Sequence, residues 1–204
     1  MTRRSVAVVS GGLRVPSSTR LLADRIAEAT GAELARRGFE VDLRVVEVRD
    51  HAHDVVNHLS TGYSSEPLKA ALDAVAGADG LIAVTPIFNA SYSGLFKSFF
   101  DALPEDALAG RPVLIAATGG TARHSLALDH TLRPMFSYLR AVVVPTAVFA
   151  APEDWAGGTA DGTLRGRIQR AGRELAEEVA RHEPTAPADP FALTASFEQM
   201  FNGE

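Results

Sequence analysis

The sequence predicts an α/β fold in three layers, with a five-stranded parallel sheet between two layers of helices. Three observations carry that expectation. Apolar runs rich in Val, Ile and Ala recur five times along the chain, and segments with helical spacing separate them. Several runs are apolar at nearly every position rather than at every second one. That pattern marks strands covered on both faces.

The expected strands are SVAVVS (5–10), VDLRVVEV (41–48), DGLIAVT (79–85), RPVLIAAT (111–118) and AVVVPTAVF (141–149). The first helix is expected over 18–37, where Leu21, Leu22, Ile26, Ala29 and Leu34 share one broad face and Gly38 follows as a stop. The next covers 66–76 and opens on Glu66-Pro67, since proline suits a first helical turn. Segments 93–103, about 122–139 and about 160–182 complete the helices. Strand and helix alternating in this way build an open parallel sheet. Five strands favour the flavodoxin-like order over the six of a dinucleotide-binding sheet, and in either order ligands bind beyond the carboxyl ends of the strands. Three polar segments fall there: 10–19, 85–94 and 118–125. Residues 1–182 read as one domain. Residues 183–204 differ: EPTAPADP is a proline-rich spacer, and FALTASFEQMF brings back Phe191, Leu193, Phe197, Met200 and Phe201 as a short amphipathic tail.

Composition narrows the chemistry. The 204 residues are 46% hydrophobic and 22% charged, enough for one real core. Twenty Lys and Arg against 25 Asp and Glu leave a net charge of −5, which argues against a nucleic-acid partner. With no cysteine, disulfides, thiolate nucleophiles, cysteine-ligated zinc and iron–sulfur clusters are all excluded. No apolar run approaches the roughly 20 residues of a membrane span, and the opening MTRRSVAVVS is too short for a signal peptide, so a cytoplasmic protein with no membrane partner is expected. His51, His53 and His58 form HxHx4H, but DHAHDVVNHLSTGYSS reads as a solvated loop or subunit contact, and no metal site is expected.

SGGLRVPSST (10–19) leaves a buried strand and enters a helix. Gly11 and Gly12 let the backbone bend so that amides converge, Ser17, Ser18 and Thr19 bring hydroxyls to a helix start, and Arg14 adds charge. An anion is the natural guest. The loop lacks GxxxxGK[ST] and GxGxxG, so a terminal monophosphate fits better than a triphosphate or a dinucleotide. In this architecture flavin mononucleotide (FMN) leads. A plain glycine turn with a helix cap is the competing reading.

TPIFNASYSGLFKSFFDAL (85–103) crosses from a buried strand into a very apolar helix. Pro86 has no amide to donate and stiffens the exit, while Ile87, Phe88 and Asn89 offer an apolar wall with backbone amides for a flat heteroaromatic ring; Ser91, Tyr92, Ser93 and Gly94 add hydroxyls and space. Aromatic residues plugging the core are the alternative. Lys97 and Asp101 are spaced to pair on the helix surface. Phe96, Phe99, Phe100 and Leu103 leave little of that helix polar, which suggests burial against another subunit. Trp155 is either an anchor or a lid.

These segments resemble the NAD(P)H-dependent FMN reductases, a flavodoxin-like family. TPIFNASYSGLFKSFFD is similar to their TPxYxxSYSGxLKxxxD stretch, the first loop to their GSxRxxSxxxxL phosphate loop, and ATGGTARHSLALDHTLRPMFSYLRA (117–141) to their ATGGSxxHxLAxDxxLxPxxxxLxA stretch. The likeness runs from about residue 5 to 150 and is closest to the branch that supplies reduced flavin to two-component monooxygenases. It implies hydride transfer from NADPH or NADH to FMN, no protein catalytic base, and a homodimer or homotetramer with a possible monooxygenase partner. By position, Gly12, Arg14, Ser17, Ser18 and Thr19 would hold the phosphate. Pro86, Ile87, Phe88 and Asn89 would border the ribityl chain and ring, and Gly119, Gly120 and Thr121 would close on the pyrimidine edge. Gly12 stands where the family has Ser, and Phe88 where Tyr is common. In the monooxygenase-linked branch, a Tyr or His near His130 sits in a one-residue helix insertion that marks flavin handed over rather than kept; Pro134 disturbs the same helix. A tight-FMN quinone or azo reductase, or a non-enzymatic flavodoxin-like electron carrier, are the alternatives.

Overall fold

The computed structural model describes residues 2–156 and 163–182. Strand β1 (Arg3–Ser10) leads into α1 (Ser18–Arg36), whose cap Ser17 accepts a bond from the Arg20 amide at 3.1 Å. Strand β2 (Glu40–Glu47) passes through a 3-10 turn at Val48–His51 into α2 (Ala52–Thr61), and α3 (Glu66–Ala76) follows. Strand β3 (Gly80–Phe88) turns back on the short β4 (Ser91–Tyr92) before α4 (Gly94–Asp101). Strand β5 (Pro112–Thr118) precedes α5 (Arg133–Tyr138), β6 (Val142–Val143), β7 (Val148–Ala150) and α6 (Leu164–Arg181).

The parallel path runs β2-β1-β3-β5-β6, with β7 also on β5 and β4 antiparallel on β3. Counting β6 and β7 as one position, this is the flavodoxin-like order. The run expected as a single strand over 141–149 is broken at Pro145, which has no amide to give a ladder. Its two halves dock separately, β6 on Pro112–Val113 and β7 on Ala116–Thr118.

Alternation along the strands feeds two cores. Ala7, Val9, Leu81, Ala83, Val113 and Ile115 face α2 to α5, where Phe96, Phe99, Phe100 and Phe136 gather. Val6, Val8, Ile82, Val84, Leu114 and Ala116 face α1 and α6, against Leu22, Ile26, Leu34, Ile168, Leu175 and Val179.

Three expectations are corrected. The stretch after β2 is a helix and not a loop. Val55 is the one buried residue of α2, too faint an apolar period to read, and Gly62 ends the helix in the left-handed region at φ +76°. The phenylalanines of α4 need no sister subunit, because Phe96, Phe99 and Phe100 are buried within this chain and Phe100 meets Phe136 edge-on at 5.0 Å. Lys97 and Asp101 do pair on its outer side. The segment expected as one helix over about 122–139 is three pieces: a 3-10 turn (Ala122–His124), a π-helix (Leu128–Leu132) holding His130, and α5. The Arg133 amide bonds the Leu128 carbonyl five residues back, immediately before Pro134 removes the next donor.

Among the described residues no group of three or more His, Cys, Asp or Glu could hold a metal ion, and His58 Nδ1 shares a 2.8 Å hydrogen bond with Ser64 Oγ. No described helix is long and apolar enough to cross a membrane. The tail 183–204 lies outside the described residues.

Candidate functional site

The connections after β1, β3, β5 and β7 all emerge at the carboxyl rim of the sheet and enclose a cleft of about 360 Å³. Gly12, Arg14, Ser17, Ser18, Thr19, Pro86, Ile87, Phe88, Gly119 and Gly120 line it. Asn89 and Thr121 do not. Asn89 is at the tip of the β3–β4 hairpin, and the Thr121 hydroxyl caps the following 3-10 turn by accepting from the Arg123 amide at 3.4 Å.

In the first loop the two glycines serve close packing rather than an unusual backbone angle. The Gly11 amide is spent on the Val84 carbonyl at 2.8 Å, and a side chain there would press the Phe96 ring. A Cβ on Gly12 would overlap Ser17 Oγ, so a side chain at this position would require Ser17 to shift. The chain passes through a cis Val15–Pro16 peptide to Ser17. Ser17 Oγ accepts from the Arg20 amide and keeps its own proton to donate. Thr19 Oγ1 and Thr118 Oγ1 bond at 2.8 Å in a buried pair that joins the first and third loops. Ser10 Oγ, fully buried at the foot of the loop, has no partner. Arg14 is exposed, and its guanidinium has no ion pair among the described residues.

In the second loop Phe88 remains 48% exposed beside the buried Ile87, so an aromatic face is left open at the cleft. Phe88 and Ser91 pair across Asn89 and Ala90, both left-handed at φ +49° and +66°, as a two-residue hairpin of the I′ kind requires. The Thr85 hydroxyl accepts from the Ser93 amide at 3.1 Å and holds the strand exit to the start of α4. In the third loop a Cβ on Gly119 would lie 2.7 Å from the Phe149 ring, so only glycine lets β7 approach.

Thr118, the Thr of ATGG, also lines the cleft, as do Leu13, Pro16 and Pro152, to which the motifs assign no role. The topology would have found Pro152, since it follows β7 at the rim where the segments after β1, β3 and β5 also lie. Trp155 is an anchor: it packs on the α1–α6 core with Arg25 over its ring at 5.1 Å, and it does not line the cleft. A larger groove of about 710 Å³ runs along the packed α1–α6 pair, lined by Arg25, Glu28, Arg36, Arg165 and Arg173 among others. Among the described residues, its lining comes only from the two helices. The rim cleft joins hydroxyls at a helix start, an open aromatic face and a glycine edge within one space, the set that a phosphate attached to a flat ring requires.

Known proteins agree with that chemistry. Residues 4–156 match the NADPH-dependent FMN reductase family. An FMN reductase (NADPH) of Pseudomonas aeruginosa is 40% identical over 74% of this chain and 78% of its own. An NADH-dependent FMN reductase, SfnE, of Pseudomonas putida is 36% identical over 89% of this chain and 95% of its own. A crystal structure of an oxidoreductase from Corynebacterium diphtheriae superposes with a TM-score of 0.85 and 46% identity, covering 90% of this chain and 100% of that one. Three motifs in order, a flavodoxin-like sheet and a cleft built where the motifs meet have one common explanation: the chain belongs to the NADPH-dependent FMN reductase family.

Proposed function

We propose that the rim cleft is where this FMN reductase holds FMN against NADPH or NADH. The meeting of the 10–19 loop with Pro86–Phe88 and Gly119–Gly120 in one cleft carries the reading. Ser17, Ser18 and Thr19, with the first amides of α1 and the Arg14 guanidinium, hold the phosphate. Pro86, Ile87 and Phe88 give the ring an apolar wall, Asn89 borders it from the hairpin tip, and Gly119, Gly120 and Thr121 close its polar edge. Bound together, the flavin and the nicotinamide supply hydride transfer from one ring to the other. The protein orients the two rings, keeps water from the contact and offers fixed dipoles; no side chain is asked to move a proton.

His130, exposed in the π-helix, tunes how long flavin stays. The reduced product is handed to a partner monooxygenase in the cytoplasm. A homodimer or homotetramer is supported by Val56, Leu59 and Tyr63, which are 60%, 47% and 72% exposed on and just after α2. Anaerobic stopped-flow mixing with FMN tests the reading: the flavin band bleaches with NADPH, NADH or both. An inert mixture with both nucleotides overturns it. Colour lost on dialysis identifies FMN as a substrate, and colour retained identifies it as resident.

A further inference from the structure

We propose that Arg20, Glu47 and Arg49 form a strut that fixes the 10–19 loop and thereby sets the affinity for the ligand's phosphate, a role that rests on reading this loop as the phosphate site. Glu47 closes β2 directly opposite Ser10, the last residue of β1. Its Oε1 receives Arg20 Nη1 at 2.6 Å and Arg49 Nη2 at 3.1 Å. Arg49 Nη1 reaches on to donate to the Arg14 carbonyl at 2.8 Å. Arg20 belongs to the first turn of α1, its amide bonded to Ser17 Oγ and its Nε to Asp24 at 2.7 Å. One carboxylate oxygen therefore ties the middle of the loop to the helix start that supplies the hydroxyls.

Surface ion pairs do not explain this arrangement. Glu47 is 12% exposed at its side chain, and its second oxygen, Oε2, is buried without a hydrogen-bond partner. Dehydrating a carboxylate has a cost, and here two guanidiniums offset it at a point where one backbone carbonyl must be held. The arrangement leaves the Arg14 side chain open at the cleft while its carbonyl is clamped from behind. Glu47, Arg49 and Arg20 are positioning residues: they touch the loop and not the cleft. A preorganised loop binds its anion without first being ordered, so loosening the clamp weakens binding of the phosphate and leaves the ring's contacts alone.

Titration of the full chain with FMN and with riboflavin, which lacks the phosphate, separates the possibilities. The variants are Arg49→Met and Glu47→Gln, each with a thermal melt. Simple charge predicts opposite signs, since losing Arg49 weakens and losing the Glu47 charge tightens the hold on an anion. The strut predicts the same sign: each variant weakens FMN by about tenfold and changes riboflavin less than about twofold. Tighter FMN binding by Glu47→Gln overturns the strut, as does an unchanged ratio of FMN to riboflavin affinity in both variants. A parallel loss of both ligands with a lowered melting point overturns it too, as a general loss of structure. Wild-type protein that does not prefer FMN to riboflavin removes the phosphate site itself, and the strut's role with it.

Discussion

The two rims of the sheet are both polar, and they treat their polar groups in opposite ways. At the amino rim, Asp79 accepts from the Ser5 amide at 2.7 Å and the Ser5 hydroxyl at 3.1 Å, and faces Arg4 at 3.5 Å. Arg111 beside it donates to the carbonyls of Ala76 and Ala78. At the carboxyl rim Ser17, Ser18 and Arg14 line a cleft, and the Arg14 guanidinium has no ion pair among the described residues. Groups that satisfy one another hold a fold together; groups that converge on a space are available to a guest. Substitutions at the amino rim should therefore move stability, and those at the carboxyl rim should move binding.

Asp79→Ala tests the first half with the largest effect. It strands a buried Arg4, costs about 3 kcal/mol and lowers the melting point by roughly 6–12 °C, with the FMN dissociation constant unchanged. A weakened FMN affinity in the folded variant would break the division between the rims.

At the other rim, Arg14→Ala and Ser17→Ala each weaken FMN binding by about 1–3 kcal/mol in fluorescence titrations. They differ in the melt. Ser17 also caps α1, so its loss costs about 1 kcal/mol of stability, whereas Arg14→Ala leaves the melting point in place. Equal melting points for the two would remove the double role of Ser17.

Ala90 is a smaller matter of backbone. At φ +66° it pays the steric cost of the left-handed region, and Ala90→Gly stabilises by about 0.5–1 kcal/mol, glycine's greater freedom in the unfolded chain cancelling part of the relief. A chemical denaturation curve reads the sign.

The smallest effect belongs to His182. Burial first, and then the nearby Arg111 guanidinium, hold it below its ordinary 6.5. As the pH falls through 6.5, the unfolded chain takes up a proton that the folded site resists. Stability therefore declines from about pH 6.5 down to the lowered folded value and levels off below it. His182→Asn flattens that part of the pH profile, measured by denaturant melts across it; an unaltered slope contradicts the assignment.

The two rims were also unequally legible in the sequence. The carboxyl rim announced itself, because SGGLRVPSST, TPIFNASYSG and ATGGT each follow a strand and concentrate residue types that packing alone does not ask for. The amino rim gave no sign: Arg4, Asp79 and Arg111 are single charges beside apolar runs, and their partnership exists only once the strands are side by side. Glu47 and Arg49 were hidden for the same reason, being meaningful only through the β1–β2 register. The lack of alternation in nearly unbroken apolar strands revealed two covered faces, while Pro145, within a run read as one strand, was the missed sign of its division into β6 and β7. The α4 phenylalanines were apolar enough to suggest a subunit contact, but composition cannot tell a sister chain from the chain's own α5. In α2, one buried valine in ten residues left almost no period to read.

A crystal structure of the chain with FMN tests the central claim most directly. The phosphate is predicted within about 2.7–3.1 Å of Ser17, Ser18 or Thr19 donors, with the ring between Ile87–Phe88 and Gly119–Gly120. FMN seated in the α1–α6 groove with the rim cleft empty would contradict it.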